Sequence, residues 1–229
     1  MTQMPHIPKE ASAAQAIELL SAAGWREVGI GDWSWVLADP EDRLAARVTP
    51  FDPAYLLHAK AALEGKPNRW LPRVEAILPL SGDGHVVLME RLWPADEEAA
   101  AAFCAALGIR NESGYQLRTD LAFPDADDDL ARLRERILAL SAEGARRYRL
   151  WGGSDVRPGN VMADASGRLK LVDPVFLRGL SVLEAIQAGE RELLADFTLQ
   201  QLQAFLTIPP FKPGPETDEV RAKLAALYA

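Results

Sequence analysis

The stretch Gly153-Ser154-Asp155-Val156-Arg157-Pro158-Gly159-Asn160-Val161-Met162, followed by ADASGRLKLVDP, gathers two carboxylates and one amide with spacing that could do chemistry. An amide oxygen and a carboxylate held side by side suit a hard cation such as Mg²⁺. That ion keeps several waters and takes its remaining ligands from a substrate's phosphates. Here the pair is Asn160 and Asp173. Asp155 lies upstream of Asn160 on a loop containing Pro158 and Gly159, so its carboxylate can be aimed at the same space. A carboxylate there could orient an attacking hydroxyl and accept its proton.

Positioning these groups needs a hairpin. Val161 to Ala163 and Leu169 to Val172 are short β-like runs joined by Asp164-Ala165-Ser166-Gly167, which is turn chemistry. An antiparallel hairpin returns the chain to its start, so Asn160 before the first strand and Asp173 after the second approach to about 5 Å between backbones.

The rest of the chain reads as strands first and helices later. Residues 10–23 predict a helix closed by Gly24, and WREVGI, WSWVLA and RLAARV predict three strands. Ala38-Asp39-Pro40-Glu41-Asp42 is the turn between the last two. A helix from Asp52 to Glu64 follows, then strands VEAILPL and HVVLME around Ser81-Gly82-Asp83-Gly84. Beyond Glu90 the pattern predicts helices over 95–107, 126–148, 181–206 and 217–228, interrupted by β structure at 161–172. An antiparallel sheet segregated from a helical half is an α+β layout.

GSDVRPGN and LVDP resemble the catalytic loop and metal-binding segment of the protein-kinase-like superfamily, nearest its aminoglycoside-phosphotransferase and small-molecule kinase branch. There the pattern is roughly HGDxxxxN, a hairpin, then an isoleucine–aspartate pair. The resemblance implies a two-lobed fold. Residues 1–91 would form an antiparallel-sheet N-lobe on the phosphate and adenine side, and 92–229 a helical C-lobe carrying the catalytic loop and hairpin. It implies ATP and Mg²⁺ as cofactors, Asp155 as base, and Asn160 and Asp173 as metal ligands. Gly29-Ile30-Gly31-Asp32-Trp33-Ser34-Trp35-Val36 resembles the family's glycine-rich loop, with Ser34 at the third glycine; Gly29, Gly31 and Ser34 would then face phosphates. HVVLMERLWP resembles the strand and hinge between lobes, so Glu90 to Leu92 would offer backbone groups to adenine. The implied activity is phosphoryl transfer to a hydroxyl of a small molecule or a protein; the alternative is a pseudokinase, a nucleotide-binding or interaction module without transfer.

Three departures bear on activity. Arg47 stands where the family has its phosphate-pairing lysine; it either binds phosphate through its planar fork or is an ordinary strand cation. The helix AYLLHAKAALEG has its one glutamate, Glu64, near its end, where a solvated residue is the simpler reading. Gly153 replaces the family's histidine. The acidic group Asp125, Asp127, Asp128 and Asp129 either receives a cationic substrate or complements a helix dipole.

With 229 residues and a net charge of −8, the chain lacks the clustered basic face of a nucleic-acid binder. Arg146-Arg147-Tyr148-Arg149, its densest basic run, reads as a solvated helix end. Cys104 is the one cysteine, and in its Ala-rich context a small core residue. MTQMPHIPKE has no apolar signal core and no run is long enough to span a membrane, so a cytoplasmic protein is expected.

Overall fold

The computed structural model describes residues 4–110, 116–117 and 128–229. Asp125 and Asp127 lie outside the described residues.

Helix α1, Ala13–Ala22, starts where Ser12 accepts from the Gln15 N–H at 3.2 Å and the Gln15 side chain returns a bond to the Ser12 N–H at 2.8 Å. This reciprocal cap satisfies two donors that the first turn leaves open. Gly24, at φ +87°, ends the helix as expected, and Trp25 N–H closes back onto Leu20 O at 3.0 Å. Strands β1 (Arg26–Ile30), β2 (Trp35–Ala38) and β3 (Leu44–Thr49) follow, then α2 (Pro53–Glu64), β4 (Val74–Pro79) and β5 (His85–Glu90). The five strands form one sheet in the order β1-β2-β3-β5-β4. The β2–β3 turn is held by the Asp39 carboxylate, which accepts from Arg43 N–H at 2.6 Å and Leu44 N–H at 2.8 Å.

After β5 come β6 (Trp93–Pro94), α3 (Glu97–Ala106), the paired β7 (Ile109–Arg110) and β8 (Gln116–Leu117), and α4 (Asp128–Arg147). Next are β9 (Trp151–Ser154), β10 (Val161–Ala163), β11 (Leu169–Leu171) and β12 (Val175–Leu177). Strands β11, β10 and β6 make a small sheet in that order, and β12 pairs with β9. Helices α5 (Gly179–Ala188), α6 (Leu199–Phe205) and α7 (Pro215–Tyr228) complete the chain.

One difference from expectation has a clear cause. The single helix expected over 181–206 is two. Gly189, at φ +76°, terminates α5, and Thr198 with Gln201 builds a new reciprocal cap that starts α6. One compact unit comprises Met1–Pro53, Glu75–Met89 and Arg178–Ala229; the other comprises Ala54–Val74 and Glu90–Leu177. Aromatic side chains draw the C-terminal segment to the first unit. Trp33 packs on Phe205 with ring centres 5.5 Å apart, and Phe51 meets Phe197 edge-on at 5.8 Å. Gln201 also donates to the Asp83 carboxylate at 2.7 Å.

The first unit's core lies between α1 and the sheet, where Ala16, Leu20, Trp25, Leu37, Ala46, Val48 and Val86 are buried. In the second, α4 buries Leu130, Leu133, Ile137 and Leu140 along one face. Cys104 and His58 are both buried packing residues, His58 against Tyr55. Arg146, Arg147 and Arg149 are exposed, as a solvated helix end should be. No described helix is long and apolar enough to cross a membrane.

Candidate functional site

Strand β9 leads straight into Asp155. Ser154 pairs with Val175 of β12, and the Asp155 N–H donates to Pro174 O at 2.8 Å, so the residues flanking Asp155 and Asp173 run side by side. A 3₁₀ turn over Pro158–Asn160 then reverses the chain, closed by Asn160 N–H to Arg157 O at 2.9 Å. The hairpin has the expected register, Val161 opposite Leu171 and Ala163 opposite Leu169. At its mouth Val172 N–H donates to Asn160 O at 2.9 Å.

Asn160 is the centre of this arrangement. Its amide nitrogen donates to the Asp155 backbone oxygen at 2.8 Å, to Asp155 Oδ2 at 2.8 Å and to the Asp173 backbone oxygen at 3.0 Å. The structure thus brings Asp155, Asn160 and Asp173 together. The nitrogen end of the amide is committed to protein, which leaves its oxygen, Oδ1, as the atom of this side chain that suits a cation. No group of three or more His, Cys, Asp or Glu side chains among the described residues forms a metal cage. Arg157, which the sequence reading did not single out, places Nε 3.4 Å from Asp155 Oδ2 and is half-exposed. Its place two residues after Asp155 on a tight loop was the available signal.

The hairpin's turn is self-contained. The buried Asp164 carboxylate accepts from Ser166 N–H at 2.8 Å, Ser166 Oγ at 2.7 Å, Arg168 N–H at 3.1 Å and Arg168 Nε at 2.8 Å. Burial alone would raise its pKa, but bonds from Ser166 and Arg168 outweigh that and hold it well below the usual carboxylate range. Behind the site, Gly152 lies against Phe176, where a Cβ would stand 2.3 Å from the ring. Gly153 has φ +101°, a conformation open to glycine and strained for the histidine that the family pattern has there.

The remaining predicted site residues are placed as follows. Gly29 and Gly31 lie at the β1–β2 turn, with Gly29 opposite Val36 and Gly31 N–H bonded to Ser34 O at 2.9 Å. The turn is anchored: Thr49 Oγ1 donates to Trp33 O at 2.6 Å, and Ser34 Oγ, buried, accepts from Arg47 Nε at 2.8 Å. Arg47 also bonds Asp52 through Nη2 at 2.9 Å, with side chains only 9% and 6% exposed. The carboxylate partner of Arg47 is therefore Asp52, while Glu64 is exposed at its helix end. Glu90 N–H donates to Arg73 O at 3.0 Å, and Leu92 O accepts from the Arg91 guanidinium.

No family model and no curated protein matches the chain. Solved structures similar to the chain include the following three. A chain of the CAK complex from Chaetomium thermophilum bound to ATP-gamma-S has a TM-score of 0.36 and 13% identity, with 85% of this chain and 72% of that chain covered. The aminoglycoside phosphotransferase APH(3'')-Id from Streptomyces rimosus has a TM-score of 0.36 and 14% identity, with 94% and 98% covered. The apo GRMZM2G135359 pseudokinase has a TM-score of 0.38 and 10% identity, with 97% and 98% covered. At so low a similarity no activity or substrate carries over from them. By its own elements, an antiparallel sheet first and the Asn160–Asp173 hairpin later, the chain is an α+β protein.

Proposed function

We propose that this protein is an ATP- and Mg²⁺-dependent phosphotransferase acting on a hydroxyl of a small molecule or a protein. The observation that carries the reading is the Asn160 amide, bonded at once to Asp155 and Asp173. Asn160 Oδ1 and the Asp173 carboxylate would hold Mg²⁺, which when bound neutralises phosphate charge. Asp155 orients the acceptor hydroxyl and takes its proton as the oxygen attacks the γ-phosphorus and the bond to ADP breaks. Holding Asp155 Oδ2 on the Asn160 amide fixes the base relative to the ligand residues, and such positioning is the main protein contribution in phosphoryl transfer. The cytoplasmic setting expected from composition belongs to the same proposal.

The test uses ATP labelled separately at the α and γ positions, with Mg²⁺ and a panel of hydroxylated small molecules or cell extract. Transfer of γ label, abolished in Asp155→Asn while Mg²⁺–ATP still binds, is the expected result. Transfer of α label would mean nucleotidyl transfer instead.

The pseudokinase alternative has its own supporting observation, the buried bond network of Arg47 with Asp52 and Ser34. If Arg47 meets phosphate, Arg47→Met weakens ATP far more than adenosine. If Arg47 is a structural strut, both affinities change together. Nucleotide binding without any transfer, together with that second result, would favour the pseudokinase.

A further inference from the structure

Strand β11 runs into Asp173 and is the outer strand of its small sheet, with β10 between it and β6. An outer strand turns a row of backbone groups away from its neighbour, and these need partners of their own. Here the partner is the loop between α2 and β4. Leu171 N–H donates to Trp70 O at 2.7 Å, and the Lys170 ammonium donates to the next carbonyl, Leu71 O, at 3.3 Å. Two consecutive residues of the strand are tied to two consecutive carbonyls, one by main chain and one by side chain.

The loop is itself fixed. The Asn68 side chain accepts from Trp70 N–H at 2.9 Å and donates to Asp129 O of α4 at 2.6 Å. The Trp70 ring packs on Phe103 of α3 with centres 5.1 Å apart. Lys170, with a side chain 9% exposed, needs a counter-charge, and Glu90 supplies it. Nζ lies 3.3 Å from Glu90 Oε1, the oxygen that also accepts from Arg73 N–H at 2.8 Å. All these residues belong to one compact unit.

A buried ion pair is often no more stabilising than an apolar pair of the same volume, and its best attested use is to fix register. We propose that Lys170 is a positioning residue for Asp173. Its bonds to Leu71 O and Glu90 set the register of β11 along the loop, and with it the place of the carboxylate three residues on. The inference rests on the phosphotransferase reading, in which Asp173 holds the Mg²⁺ that accompanies the nucleotide.

The experiment measures the factor by which Mg²⁺ tightens ADP binding, with the urea midpoint of each variant recorded alongside. Wild type should show such a factor, and Asp173→Ala should lose it. Lys170→Met leaves the Glu90 carboxylate buried without its counter-charge, so midpoint and factor should both fall. The decisive variant joins Lys170→Met to Glu90→Leu, putting an apolar pair where the ion pair stood. Its midpoint should return to that of wild type or above. Its Mg²⁺ factor should nevertheless stay about tenfold or more below wild type, as is usual when a group behind a metal ligand is removed. If the factor instead tracks the midpoint through the series, the ion pair is merely structural and the proposal is overturned. The phosphotransferase reading would survive that result as long as Asp173→Ala alone loses the response to Mg²⁺. A wild type whose ADP binding ignores Mg²⁺, or that binds no ADP, would sink both.

Discussion

Asn160 turns its amide hydrogens on three oxygens, two of them backbone, and this makes one side chain both a strut and a ligand. Asn160→Asp is nearly the same size but cannot donate. It would set a carboxylate against the Asp155 carboxylate and two carbonyls, all acceptors. Losing a buried bond and leaving its partners unpaired costs about 1–3 kcal/mol. The denaturation midpoint of Asn160→Asp should therefore fall at neutral pH, with Mg²⁺–nucleotide binding lost as well. An unchanged midpoint would mean that the amide bonds do not hold the loop. The approach of Asn160 and Asp173 was legible in the sequence because turn residues between two short β runs require it, and Asp155 was read from its place on the loop just before them. Arg157 and the Arg47–Asp52 pair were not legible. A side chain's partner depends on rotamer and burial, which spacing does not encode.

Two elements lend themselves to direct tests, and the first is the hairpin turn. Asp164 has its folded pKa depressed below the unfolded value of about 3.9. A depressed carboxylate contributes stability at pH values above the unfolded pKa. That contribution is lost as pH falls below about 4 toward the folded pKa, because the unfolded chain then binds the proton more readily. Asp164→Ala should therefore be destabilised relative to wild type at pH 7, with the gap narrowing at pH 3. A gap independent of pH would show that the turn does not use the ionised form. The second is α4. A glycine near the end of a helix is usually improved by alanine, by roughly 0.5–1 kcal/mol. At Gly144, however, a Cβ would stand 2.2 Å from the Trp151 indole, which itself is buried. Gly144→Ala should lose about 1–3 kcal/mol by overpacking, read from chemical denaturation. A gain in stability would mean that the indole shifts freely, and that β9 is not seated on α4.

At the scale of the molecule, Cys104 reports on opening of the fold. It is 6% exposed on α3, and burial pushes its thiol up to about 11. Both the missing thiolate and the lack of access predict that a thiol reagent at pH 8 reacts only when the surrounding structure opens. The modification rate should rise with denaturant in step with unfolding. Prompt reaction in the native protein would place the residue in a region that opens independently.

By itself the sequence determined the alternation of elements. Period, caps and turn residues are local, and they place α1, the first five strands, α3, α4 and the Asn160–Asp173 hairpin within three residues of where they lie. The same local signals mark Gly24 as a helix stop. Tertiary structure decided what short-range patterns cannot carry. Strands β9 and β12 are short and exist by pairing with each other. The C-terminal segment joins the first unit because Phe197 and Phe205 find Phe51 and Trp33, far away in sequence. Burial of apolar surface is non-directional and takes no account of chain separation, so which aromatic side chains meet is settled only once the whole chain has packed.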